Sequence, residues 1–265
     1  MKNRATKSLV SAPRARGFTL VELMVTVAIA LFLIGGLLTI IQNVRVRYAD
    51  QQALAQLQDQ QRFAMGVITD IVQQAGYFPD PVVNTVGTAL TAVGPFQAGQ
   101  AFFGAHVAGN PDTLSVRFRI NQITGTGVVD GILCDGSTNW TVGPDNLYTN
   151  TFSVLPPAGN APGQLQCSVN GAPARTIVNG IENLQVLYGV KRTATSDYNV
   201  DTYLDASQML PNGSGGPNGG DDWQNISAVR VRITFTNPMA NTPGQQPTIL
   251  FDRVIQVMGR AGVHT

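Results

Sequence analysis

The chain has 265 residues, which is enough for one sizeable domain together with a membrane segment. Only 12% of the residues are charged and the formal net charge is +1, but residues 1–17 carry +5 and the remainder carries −4. This mildly acidic remainder has no Lys/Arg-rich run after residue 47, which argues against direct binding of nucleic acid.

A run of 24 mostly apolar residues, Phe18 to Ile41, follows the basic N-terminus. As a helix it would be roughly 36 Å long, enough to cross a hydrocarbon core of ~30 Å. A basic segment before an apolar run favours an N-terminus in the cytoplasm, with most of the chain on the other side of the membrane. Arg45 and Arg47 weaken this signal but are outnumbered. We therefore expect a single-pass membrane protein with an exported domain.

Glu22 is the one charged residue within the apolar run. A carboxylate there costs very roughly 2–3 kcal/mol on insertion scales, so it usually has a partner and a function. If the chain were cut after Gly17, Phe18 would carry a free α-amine, and its i, i+4 spacing would put it on the same helix face as Glu22. The amine of one copy could then neutralise Glu22 of a neighbour when subunits assemble.

The sequence Arg-Gly-Phe-Thr-Leu-Val-Glu-Leu at residues 16–23 resembles the class III signal of the type IV pilin superfamily, which includes type IV prepilins and type II secretion pseudopilins. The resemblance implies that a prepilin peptidase cuts after Gly17 and methylates Phe18, and that Glu22 acts in assembly. The alternative is an ordinary signal anchor in which Glu22 is incidental. A conventional secretory signal would lose its apolar region on cleavage, whereas here the cut precedes it.

The helix is predicted to continue beyond the apolar run to about Ala75, because no proline occurs between Pro13 and Pro79. Apolar residues recur at helical spacing on one face of this second half, at Ala53, Leu57, Ala64, Ile68, Ile71 and Ala75. Gly76 is the expected C-cap. The pair Gly35-Gly36 indicates either a bend or a close-packing site between helices.

After Pro81 the chain is predicted to be rich in β-structure. Leu114–Ile120 alternates between apolar and polar residues, as a strand with one solvated face does, and Ser227–Phe235 alternates again. The other predicted strands are Thr151–Leu155, Gln164–Val169, Thr176–Val178, Leu184–Val190 and Ile249–Met258. Residues 82–110 give no firm element beyond an apolar patch at Gln100–Val107.

A polar insertion, Lys191–Asn225, separates two of the predicted strands. Its prolines and the lack of a strand-to-helix context argue against a phosphate-binding loop. Five acids occur in or beside it, namely Asp197, Asp201, Asp205, Asp221 and Asp222. They are either solvated loop acids or ligands of a calcium ion, but their spacing does not match an EF-hand.

The two cysteines, Cys134 and Cys167, are not spaced as a C-x-x-C motif, and the histidines are only His106 and His264, so a zinc site is not expected. In an exported domain a disulfide is the favoured interpretation, and two buried free thiols are the alternative. Closing a loop of about 34 residues would stabilise the domain by roughly 4 kcal/mol.

Several later segments, including residues 178–189 and 222–231, resemble the PilW family of minor pilins, and Lys191 and Arg192 depart from the acidic residues often found there. This resemblance implies an α+β pilin-like fold in which a long N-terminal helix packs on an antiparallel sheet. The expected parts are a leader (1–17), a transmembrane helix (18–41), its amphipathic continuation (42–76) and an exported domain (77–265).

The resemblance implies a minor pilin that sits in the inner membrane, meets the prepilin peptidase as its substrate, and joins other minor and major pilins to prime pilus assembly near the tip. The J-type minor pseudopilin of type II secretion is the alternative, and an anchored ligand-binding module is a third hypothesis. No G-x-S-x-G, H-E-x-x-H or Walker A motif occurs, so we expect neither an enzyme nor a cofactor.

Overall fold

The computed structural model describes residues 17–120, 131–137, 146–159, 161–192, 200–211, 222–240 and 242–258. Its first element is α1, Leu20–Gln73, a single helix of 54 residues. The helix assignment runs without a break through Gly35 and Gly36. Gly76 follows the helix with a φ of 75°, the left-handed conformation of a helix-ending glycine, and its N–H donates to the carbonyl of Arg117 at 3.0 Å.

The chain divides into two compact units, Met1–Gln52 and Ala53–Thr265, with the division inside α1. In the first unit the apolar side chains of the described helix are exposed, with Phe32 at 82%. In the second unit the last five turns of α1 contribute the buried side chains Leu57, Ala64, Met65, Ile68, Ile71 and Val72 to the core. The predicted apolar face is therefore the face that packs, apart from Ala53, which is half-buried.

A five-stranded antiparallel sheet occupies the first part of the domain, in the order β1-β2-β3-β4-β5. Each strand pairs with its sequence neighbour, as in a meander. A short helix, α2 (Val86–Ala89), precedes it. The strands are β1 (Phe102–Ala105), β2 (Thr113–Arg119), β3 (Leu147–Leu155), β4 (Gln164–Val169) and β5 (Arg175–Asn179).

A four-stranded antiparallel sheet follows, in the order β7-β6-β8-β9. Its strands are β6 (Ile181–Val190), β7 (Thr202–Leu204), β8 (Ile226–Thr236) and β9 (Thr248–Gln256), and a 3-10 helix, Asp222–Gln224, precedes β8. The inward residues of β8, Val229, Val231, Ile233 and Phe235, are fully buried. The predicted α+β class, with a long N-terminal helix and antiparallel β-structure, is confirmed, although the strands form two sheets and not one.

The prediction that β2 has one solvated face is wrong. Five of its seven residues are buried, including Ser115 and Arg117, because the segment between α2 and β1 covers the polar face. That segment has no firm secondary-structure prediction from the sequence. Its backbone carbonyls accept hydrogen bonds from β2, and no sequence pattern reveals such bonds.

Arg117 holds this covering segment in place. Its guanidinium donates to the carbonyls of Gln100 (2.5 Å), Thr91 (2.6 Å), Gln97 (2.6 Å) and Leu90 (3.3 Å). The Phe96 ring lies 4.6 Å from the guanidinium carbon, within the range of a cation–π contact. Burial lowers the pKa of Arg117 to about 10, so the side chain remains charged at neutral pH.

Candidate functional site

The predicted cleavage region lies at the start of α1. Gly17, Phe18 and Thr19 precede the helix, and the Phe18 side chain is 76% exposed. Thr19 acts as the N-cap, because its hydroxyl accepts the N–H of Glu22 at 3.3 Å and its carbonyl accepts the N–H of Leu23 at 3.1 Å. The peptide bond between Gly17 and Phe18 is thus outside the helical hydrogen-bond ladder and exposed. The basic residues of positions 1–16 lie outside the described residues.

Glu22 lies in the first turn of α1 and is exposed. A carboxylate there interacts favourably with the positive end of the helix dipole. In the uncut chain Phe18 lies outside the helix, because Thr19 is the N-cap and α1 begins at Leu20, two residues after Phe18. The two residues Phe18 and Glu22 are there separated by a single capping turn. The expectation that Phe18 and Glu22 share a helix face concerns the cut chain and stays a prediction.

The helix beyond Glu22 presents large apolar side chains in every direction. Leu23, Phe32, Leu33, Leu37 and Ile40 are each more than half exposed. By length and composition α1 is long and apolar enough to cross a membrane. The apolar segment and the prepilin signal together indicate membrane anchoring.

The structure joins Cys134 to Cys167 in a disulfide, with a Cα–Cα distance of 6.1 Å. Both residues are buried, and the bond ties the segment 131–137 to β4. The N–H of Cys134 also donates to the side-chain oxygen of Asn150 in β3, at 3.0 Å. The described part of this loop is therefore fixed to the five-stranded sheet at two points.

Reduction of this disulfide is expected to lower the free energy of unfolding by roughly 4 kcal/mol, because the unfolded chain regains the entropy of an open loop. Thermal unfolding of the detergent-solubilised chain with and without reductant measures the effect. A Cys134→Ala/Cys167→Ala double variant is the control, since reductant should leave its Tm unchanged. Full thiol labelling of the untreated native chain would contradict the pairing.

The acids of the polar insertion are largely engaged with the protein itself. Asp222 is fully buried, and its carboxylate lies 2.5 Å from the guanidinium of Arg192. The same carboxylate accepts the backbone N–H of Leu210 at 2.8 Å. The carboxylate of Asp201 accepts the N–H of Arg192, at 3.0 Å to one oxygen. Asp205 caps a turn at Ser207. Burial raises the pKa of Asp205, but the hydrogen bonds from Ser207 and Gln208 and the charge of His106 together outweigh burial, so the pKa is lowered.

Asp197 and Asp221 lie outside the described residues. Among the residues that the structure describes, no group of three His, Cys, Asp or Glu side chains is close enough to hold a metal ion. Arg192 supplies the positive charge that faces Asp222.

His106 and Asp112 form a contact that the sequence analysis missed. His106 Nδ1 lies 2.7 Å from one carboxylate oxygen of Asp112, and the other oxygen accepts the N–H of Val186 at 2.8 Å. The N–H of Asp112 donates to the carbonyl of Leu184. Asp112 therefore links the turn between β1 and β2 to β6, which is a structural role. The signal in the sequence that could have indicated this contact was a His and an Asp six residues apart on a turn.

A cavity of about 360 Å³ lies between α1 and the disulfide segment. Its walls are mainly apolar, with Phe63, Val67 and Ile71 on the helix side. Arg175 and Asp135, 3.9 Å apart, lie on the opposite side. Of the described features, this cavity corresponds best to what a ligand-binding module would require.

Comparison with known proteins gives two family matches. Residues 13–38 match the prokaryotic N-terminal methylation motif, and residues 157–259 match the family of the type IV pilus-assembly protein W, PilW. A type IV-like pilin from Thermus thermophilus is a similar solved structure, at 12% identity and a TM-score of 0.38 over 76% of this chain and 96% of the other. A search of curated proteins gave no match. The two family matches, at opposite ends of the sequence, support a member of the type IV pilin superfamily that resembles PilW.

Proposed function

We propose that this chain is a minor pilin that joins other minor and major pilins in a complex that primes assembly of the type IV pilus. It would lie at or near the pilus tip and support motility or adhesion through the assembled fibre. The observation that carries the proposal is the coincidence of the methylation motif at residues 13–38 with the PilW match at residues 157–259. The PilW match favours the pilus over the type II secretion alternative.

The proposed topology follows from the charge and the helix. Residues 1–17 form a cytoplasmic leader, 18–41 cross the inner membrane, and 42–76 continue the same helix. Residues 77–265 form a domain that is periplasmic before assembly and at the cell surface afterwards. The +5 charge of the leader and the exposed apolar half of α1 support this orientation. A subunit of this kind acts by packing with other pilins and not by catalysis.

Maturation requires the prepilin peptidase to cut between Gly17 and Phe18 and to methylate Phe18. The exposed, non-helical backbone at these residues supports cleavage there, because a peptidase needs an extended substrate that is free of helical hydrogen bonds. The apolar helix is retained after this cut and remains available for assembly.

Intact-mass analysis of the membrane-extracted protein is therefore expected to give a chain that begins at N-methyl-Phe18. Gly17→Leu should abolish cutting, because a bulky side chain next to the scissile bond would obstruct the peptidase, while Gly17→Ala should be cut in part. Gly35→Leu is the matched control, because it changes glycine to leucine within the retained helix and should be cut like wild type.

A mature terminus beyond Ile41 would contradict the proposal, because it would mean that the apolar segment is removed as a conventional signal peptide. Equal processing of Gly17→Leu and wild type would show that the glycine does not define the cut.

A further inference from the structure

The strands that the structure describes include a long one, β9, at the edge of a sheet. Among the described strands, the edges of the two sheets are β1, β5, β7 and β9. The first three have four, five and three residues, whereas β9 has nine. Its pairing with β8 is regular over all nine residues, while the pairing of β6 with β8 contains register shifts. Short or bulged edges are how proteins usually prevent unwanted strand pairing, and β9 uses neither device.

The backbone groups that β9 directs away from β8 can be identified from the ladder. The N–H of Asn237 donates to the carbonyl of Pro247, and the N–H of Val257 donates to the carbonyl of Ser227. These two pairs continue the β8–β9 register just beyond its two ends, and both are hydrogen-bonded pairs. Hydrogen-bonded pairs alternate along an antiparallel ladder. The residues bonded to β8 are therefore Ile249, Phe251, Arg253 and Ile255. Those whose N–H and C=O face the open edge are Thr248, Leu250, Asp252, Val254 and Gln256.

Both charged side chains of β9 are engaged within the protein. The strand contains no proline, glycine or lysine. Asp252 is held over the sheet surface by Arg230 (2.9 Å) and Arg232 (3.2 Å), and the bond to Arg230 lowers the pKa of Asp252. Arg253 projects from the opposite face towards α1, where it donates to Thr69 at 3.3 Å. Leu250 and Val254 flank Asp252 on the same face of the sheet and are 58% and 54% exposed.

We propose that β9 accepts an extended strand of a different polypeptide, which adds to the four-stranded sheet as a fifth strand. Only another polypeptide backbone can pair with a row of alternating N–H and C=O groups at this spacing. The proposal rests on the proposed function, in which the chain works in a complex, and it names the surface that receives a partner pilin.

The added strand should carry apolar side chains opposite Leu250 and Val254 and a neutral polar side chain opposite Asp252, because Arg230 and Arg232 already balance its charge. A second copy of this chain fits poorly. Asp252 is the central residue of β9, so full-length antiparallel self-pairing would bring together two clusters of Asp252 with Arg230 and Arg232. Each cluster has a net charge of +1, and like charges opposite each other are destabilising. The occupant is therefore a strand from another protein.

Val254→Pro tests the proposal in the full chain, because it removes an N–H that faces the open edge and leaves the hydrogen bonds to β8 intact. We expect a wild-type Tm but at least a tenfold loss of this subunit from sheared pili. Val254→Thr keeps the N–H and the strand propensity, and should be incorporated like wild type. Arg253→Pro is the opposite control, because it removes an N–H bonded to β8 and should lower the Tm.

A second measurement covers the possibility that Val254→Pro unfolds. A benzophenone amino acid at Leu250 in piliated cells is expected to crosslink to a strand of another pilin. The same group at Tyr203, an exposed residue of β7, is the control and should crosslink at least tenfold less. Equal yields at both positions, crosslinks from Leu250 to a second copy of this chain, or normal incorporation of a folded Val254→Pro would each overturn the proposal. Absence of the wild-type chain from pili would instead remove the proposed function on which it rests.

Discussion

Glu22→Ala is expected to give a chain that is cut and methylated normally, reaches wild-type levels in the inner membrane, and is absent from sheared pili. The partner proposed for Glu22 is the amine of Phe18 on an adjacent subunit, and that amine exists only after cleavage. In a single subunit the carboxylate sits in the first turn of α1, where the helix N-terminus stabilises it, so insertion does not need the partner. In the assembled pilus, where the surroundings of the helices have a low dielectric constant, the ion pair between Glu22 and the Phe18 amine sets the position of one helix along another.

Immunoblots of membrane and sheared-pilus fractions measure this effect, and intact mass verifies processing. Glu22→Gln should behave like Glu22→Ala, because it keeps the size but not the charge. Glu22→Asp keeps the charge with a shorter reach and should be partly incorporated. Asp59→Ala is the matched control, since Asp59 is an exposed acid of the same helix beyond the apolar segment. Wild-type incorporation of Glu22→Ala would refute charge pairing for this subunit while leaving its family membership intact.

Arg117→Met is expected to lower the free energy of unfolding by about 4 kcal/mol or more. The variant keeps most of the side-chain volume but leaves four carbonyls of the covering segment without their charged donor, and a buried carbonyl without a partner costs about 1–3 kcal/mol. Relaxation of the segment into water would recover part of that cost and expose the polar face of β2. Urea unfolding of the detergent-solubilised chain measures the change.

The control for this experiment is Arg230→Met, which removes an arginine that bonds Asp252 at the surface of the other sheet and should cost less than about 1 kcal/mol. The variant Arg117→Lys tests whether the positive charge alone is enough or the planar shape of the guanidinium is also needed. Lysine keeps the positive charge but cannot direct the planar fork of donors at four carbonyls, so we expect a loss between those of the other two variants. If Arg117→Met and Arg230→Met were equally stable, the covering segment would be held by other contacts.

The sequence predicted those elements whose pattern is set by burial on one side. β8 alternates between buried apolar residues and surface arginines, and β4 was predicted with its observed bounds, Gln164–Val169. The second half of α1 was predicted from its apolar face in the same way. Such patterns are visible in the sequence because each side chain faces one environment, either the core or the solvent, and its polarity matches that environment.

The remaining features depend on contacts between distant segments. The alternation in β2 was correct, but a polar residue was equated with a solvated one, and Arg117 is polar and buried. β1 and β7, of four and three residues, are too short to give a periodic signal. At the candidate site, Gly17, Phe18 and Glu22 were identified by a local motif, whereas the contact between His106 and Asp112 requires knowledge of the turn.

The way Arg117 holds the covering segment has a consequence for how the protein tolerates sequence drift. All four of its acceptors are backbone carbonyls, and every amino acid supplies one. The exposed positions Thr91 and Gln97 are thus free to change their side chains without loss of the bonds they make. The guanidinium has no equivalent among the other side chains. Arg117 therefore helps to fix the path of this segment over the sheet while the exposed positions of the segment can diversify in chemistry.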